Sequence, residues 1–70
     1  MRFHLNTPNR IRPIEVEAED TNAAVKEVLG WSDFDAYSLR VLYHDDGRGA
    51  ELLMDLPLGV VQMYELRVVA

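Results

Sequence analysis

Only one segment of this chain carries the period of a helix, and strand-like alternation lies on both sides of it. Val25, Val28 and Leu29 recur at three- and four-residue spacing with Ala24 close by, while Lys26 and Glu27 fall on the opposite side. Asp20 or Thr21 can cap this helix, because their side-chain oxygens accept from amide hydrogens that the first turn leaves unpaired. Asn22-Ala23-Ala24 is then its first turn, and it stops near Gly30. A single helix covers one face of a sheet and no more, so the other face must meet water or another molecule.

The strands follow from period-two patterning. Arg2 to Asn6 sets Phe3 and Leu5 on one side and Arg2, His4 and Asn6 on the other. Thr7-Pro8-Asn9-Arg10 supplies a turn, and residues 14–18 resume the alternation with Ile14, Val16 and Ala18 inward and the glutamates in water. Pro13 lacks an amide hydrogen and belongs at the start of an edge strand. Trp31 sits just past the helix, placed to close over its end or to meet a partner. Residues 32–36 read as a polar connection and residues 37–44 as a third strand. Asp45-Asp46-Gly47-Arg48-Gly49 reverses the chain. Glu51-Leu52-Leu53-Met54 is a short fourth strand, Asp55-Leu56-Pro57-Leu58-Gly59 a loop with buried leucines, and residues 63–69 the last strand.

The order is ββαβββ, or ββαββ with the short strand discounted, and it fills residues 1–70 as one domain. The expected fold is α+β, a mixed four- to five-stranded sheet packed on one helix. In its simplest topology the first and last strands pair in parallel at the centre and the Pro13 strand lies at an edge, which is the β-grasp arrangement. A ferredoxin-like split needs a second helix, and the stretch with Pro57 and Gly59 does not provide one. With 70 residues and no cysteine, packing alone must hold the domain. A hydrophobic share of 49% argues against disorder.

The pattern "IEVEAEDTNAAVKEVLG", then "YSLRVLYHDDG", "ELLMDLPLG" and "YELRVV", resembles the ubiquitin-like superfold over nearly the whole chain. The later part, "YSLRVLYHDDGRGAELLMDLPLGVVQMYELRV", also resembles the second half of Ras-association domains. The first resemblance implies a β-grasp fold and a protein-binding role. Conjugation in that family uses a flexible Gly-Gly tail, and Arg67-Val68-Val69-Ala70 does not provide one, so neither modifier nor sulfur-carrier activity is expected. The second resemblance implies a surface of Arg10, Arg12 and Lys26 facing a small GTPase, with Glu15, Glu17 and Glu19 among them. A solvated mixed-charge edge that deters strand pairing explains the same residues.

Strand phase points to another surface. With Leu39, Val41 and Tyr43 inward, Arg40, Leu42 and His44 face out; with Tyr64, Leu66 and Val68 inward, Met63, Glu65, Arg67 and Val69 face out. If these strands are neighbours, Leu42, Val69 and Met63 form an apolar patch bordered by Arg40, His44 and Arg67. Such a patch suits a protein partner, although scattered surface hydrophobes are also ordinary.

Other chemistry has little to stand on. A net charge of −5 opposes nucleic acid, no apolar run approaches the roughly 20 residues of a membrane span, and the residues after Met1-Arg2-Phe3-His4 lack a signal-peptide hydrophobic region. The expected location is cytoplasmic. His4 and His44 are on different strands, Asp45-Asp46-Gly47 lacks the ligand spacing of a calcium loop, and Ser32 and Ser38 have no histidine near them in sequence. No enzyme activity, cofactor or metal is expected. The expected function is a noncovalent protein-binding module or accessory subunit, with a self-assembling virion or complex component and a Ras-association-like GTPase binder as alternatives. Strand addition at the edge is a further route: Pro13 and the outward glutamates protect against it, but the short fourth strand could accept a partner or a second copy.

Overall fold

A computed structural model describes residues 1–31 and 39–69. Strand β1 (Arg2–Asn6) turns into β2 (Ile14–Glu17), helix α1 (Thr21–Leu29) follows, and then come β3 (Leu39–Tyr43), β4 (Gly49–Asp55), one 3-10 turn (Pro57–Gly59) and β5 (Val61–Val68). The expected connection at residues 32–36, the first two residues of the expected third strand, Ser32 and Ser38 lie outside the described residues.

Helix α1 begins where the capping argument put it. Asp20 is extended, and its Oδ1 accepts from the Ala23 amide at 2.7 Å. Ala24, Val25 and Val28 are buried, Leu29 is half-buried and Lys26 and Glu27 are exposed, so the stripe read from spacing is the face that docks. It packs on β2 and β4. Under it the sheet's inner face presents Phe3, Leu5, Val16, Ala50, Leu52 and Leu66, all buried, with Trp31, Leu39, Val41, Tyr64 and Val68 packed around them. Each large buried side chain contributes about 1.5–3 kcal/mol, and in a chain this small a few of them decide whether it folds.

The sheet order is β2-β1-β5-β4-β3. The two ends of the chain are neighbours near the middle, as expected, but the sheet is not mixed. Phe3 faces Val68, Leu5 faces Leu66 and Asn6 faces Glu65, an antiparallel register, and the other three pairings are antiparallel too. The expected parallel pairing of first and last strands, and with it the β-grasp arrangement in that form, is therefore corrected. The reason is the parity of chain reversals. β4 is seven residues long instead of four, pairs on both sides, and is joined to each neighbour by a tight reversal. Counting it adds one reversal and turns β5 against β1; discounting it would have left the two parallel. Because both its sides are paired, β4 offers no edge, and the strand addition expected there is corrected as well.

The reversals are closed by specific bonds. Gly47, at φ 70°, carries the β3–β4 turn, its amide donates to the His44 carbonyl at 3.0 Å, and its own carbonyl accepts from the buried Thr21 hydroxyl at 2.7 Å, tying the helix start to the hairpin. At the β4–β5 turn the Leu56 amide donates to the Val60 carbonyl at 2.7 Å. The leucines of this turn are not both buried: Leu56 is half-buried, but Leu58 is fully exposed at φ 67°. A tight reversal turns its tip side chain away from the core, so an apolar residue there stays in water.

Candidate functional site

The outer face, away from α1, is assembled from the alternate residues of all five strands. Cross-strand register orders them into rows. Arg40, Leu53 and Met63 form one row. Leu42, Glu51, Glu65 and Asn6 form the next, and Gly49, Arg67, His4 and Glu15 form a third that His44 extends, its amide donating to the Gly49 carbonyl at 2.9 Å. Leu42 is thus diagonal to Leu53, which is directly opposite Met63, with Val61 two residues before Met63 on β5. Leu42, Val61 and Met63 are about half exposed, at 53%, 48% and 55%. These four side chains make a contiguous apolar patch across β3, β4 and β5.

The patch differs from the one expected. β3 and β5 are not neighbours, because β4 separates them. Leu42 and Met63 are still brought together, but through Leu53. Val69 is exposed on the same face at the far end of β5, where its amide donates to the Arg2 carbonyl at 2.9 Å. It stands six residues from Met63, about 20 Å along the strand, and does not belong to the patch. Leu53 and Val61 were missed. The signal for Leu53 was in the sequence: with Ala50, Leu52 and Met54 inward, Leu53 must face out.

Charged residues border the patch in pairs. Arg40 donates twice to Asp55, Nε to Oδ2 at 3.0 Å and Nη2 to Oδ1 at 2.8 Å, holding the guanidinium beside Leu53. Arg67 Nε lies 3.2 Å from Glu65 Oε2, and His44 Nε2 lies 4.0 Å from Glu51 Oε1. Arg40 flanks the patch as expected. On the side toward β1 its immediate border is Glu51 and Glu65, which face each other across β4 and β5, with His44 and Arg67 one row further. Beside Met63 the surface dips into a shallow hollow of about 280 Å3 lined by Asn6, Thr7, Pro8, Glu51 and Glu65.

The other candidate residues are dispersed. Arg10 and Arg12 are exposed in the loop before β2, not on the strand itself, and Lys26 is exposed on α1. His4 and His44 occupy one row but are three strands apart, about 14 Å, and each is beside a glutamate of its own. Among the described residues no group of three histidine or carboxylate side chains is placed to hold a metal ion, and no helix is long and apolar enough to cross a membrane. No family model, no curated protein and no solved structure matches this chain.

Proposed function

We propose that this chain is a noncovalent protein-binding module or accessory subunit that docks through the outer face of its sheet. The observation that carries this reading is the Leu42, Leu53, Val61 and Met63 patch, which leaves three large side chains about half exposed on a face that no helix covers among the described residues. Polar pairs surround it: the ion pairs Arg40 with Asp55 and Glu65 with Arg67, and Glu51 beside the His44 ring. An apolar centre with a polar rim is the anatomy of a protein interface, where the centre supplies affinity and the rim orientation. Nucleic acid fits poorly, since the chain carries a net charge of −5.

The docking role does not require kinship with ubiquitin-like β-grasp proteins; it needs only a sheet covered on one side. The reading assigns no catalysis. The hollow beside Met63 is small and open, and the residues around it are glutamates, an asparagine, a threonine and a proline, without a nucleophile held against a base.

Met63→Asp and Leu42→Asp, with folding checked by circular dichroism, test the proposal in capture experiments from the native host. Folded variants that lose a partner retained by the parent chain support it. Folded variants that keep the same partner remove this face from contention.

A further inference from the structure

We propose that β3 is a dimerisation edge, through which two copies of this chain pair antiparallel about a twofold axis at Val41 and join their sheets into one. The sheet leaves one set of backbone groups unpaired among the described residues. The His44 amide donates to the Gly49 carbonyl at 2.9 Å, which fixes the hydrogen-bonding phase of the β3–β4 ladder. In the register Leu42 to Glu51 and Arg40 to Leu53, even-numbered residues of β3 exchange bonds with β4. The amides and carbonyls of Leu39, Val41 and Tyr43 therefore point away from the sheet, and among the described residues no strand pairs with them.

The two edges of the sheet are built differently. On β2 the Ala18 amide donates to the Met1 carbonyl at 3.0 Å, so Ile14 and Val16 bond to β1 and the edge positions are Pro13, Glu15 and Glu17. That edge lacks an amide hydrogen at Pro13 and carries two carboxylates, the usual devices against strand addition. β3 has no proline, and its one charged side chain, Arg40, is held sideways by two bonds to Asp55 on the neighbouring strand β4. Leu42 and Tyr43, both about half exposed, gain cover if a strand is added there.

Self-pairing also selects its own register. Centred on Val41, Leu39 faces the partner's Tyr43, Val41 faces its own copy, and each facing pair exchanges two backbone bonds. Arg40 then lies beside the partner's Leu42. A slip of two residues in either direction loses one facing pair, and in one direction it sets Arg40 against the partner's Arg40. The centred register satisfies the groups of Leu39, Val41 and Tyr43 that no described strand pairs with, and it opposes no like charges. The outer patches of the two copies then lie on the same face of one continuous sheet. This inference does not rest on the docking role of that face.

Sedimentation or light scattering of the full chain over a wide concentration range is the test. A concentration-dependent dimer is expected. Val41→Pro should stay folded and become monomeric, because it removes an amide hydrogen that no described strand of the single chain uses, whereas Met63→Asp should still dimerise even if it loses a heterologous partner. A wild-type chain that is monomeric throughout, or a Val41→Pro variant that still dimerises, overturns the proposal. If Val41→Pro does not fold, amide exchange of the wild-type chain decides: slow exchange at Val41 and Tyr43 that tightens with concentration supports the edge, and fast exchange there contradicts it.

Discussion

Leu53 stands directly opposite Met63 on neighbouring strands, and both point away from the helix. Leu52 and Met54, on either side of Leu53, are buried in the core, so a single strand supplies both the packing that holds the domain and the centre of its exposed patch. Core and surface can therefore be altered separately by moving one residue along β4.

Met63→Asp should cost only about 1 kcal/mol, because it leaves no cavity and loses mainly strand propensity and charge balance beside Glu51 and Glu65. Leu52→Ala should cost about 2–5 kcal/mol through lost burial and the cavity left under α1. Urea denaturation of the two variants measures the contrast; equal losses would place Met63 in the core and contradict the sheet's orientation.

Gly49 is buried at the start of β4. A Cβ there would fall onto the carbonyl oxygen of Leu66 and come within 3.0 Å of His44 Nδ1. Gly49→Ala should lower stability by about 1–3 kcal/mol, since the backbone contact cannot relax by a rotamer change. The denaturation midpoint reads this directly. An unchanged midpoint would mean that β4 and β5 are further apart than described.

Two threonines should respond in opposite directions. The Thr21 hydroxyl donates to the Gly47 carbonyl at 2.7 Å, and Thr21→Val should cost about 1 kcal/mol by leaving that part-buried acceptor without its donor. Among the described residues, Thr7 Oγ1 is buried with no hydrogen-bond partner. Thr7→Val keeps the shape and removes a desolvated hydroxyl, so stability should rise by about 1 kcal/mol. Thermal unfolding of the pair checks the signs.

The ion pair at the patch margin should matter little to folding. Arg40 and Asp55 are both about half exposed, and a double-mutant cycle on Arg40→Ala and Asp55→Ala should return a coupling of about 0.2–1 kcal/mol that shrinks with salt. A larger, salt-insensitive coupling would indicate that β3 and β4 depend on the pair.

Much of the fold was legible because local patterns are strong in a short chain. The Asp20 cap, the Ala24-Val25-Val28 stripe and the alternation of Phe3 and Leu5 each follow from one period and a few side-chain preferences. What was not legible was the number of strand reversals. Glu51-Leu52-Leu53-Met54 is an apolar run after one glutamate, and such a run does not display its two faces or its full length, so β4 read as a minor strand. That single misjudgement reversed the direction of β5 relative to β1 and moved β3 away from β5. It also hid Leu53 from the patch, whereas Val61 was missed because β5 begins at Val61 and not at Met63, and Val69 drops out through its distance along β5. The inward and outward phase of β3 and β5 survived because phase is set within a strand, whereas strand order is set between strands.

The patch around Leu53 and Met63 is proposed to meet a protein. A photo-crosslinking side chain placed at Met63, and as a control at the exposed Glu17 on the far edge of the same face, tests it in the native host, with adducts identified by mass spectrometry. One recurrent protein adduct is expected from position 63, competed by the unlabelled parent chain and absent from position 17. No adduct at position 63, or the same adducts from both positions, would contradict it.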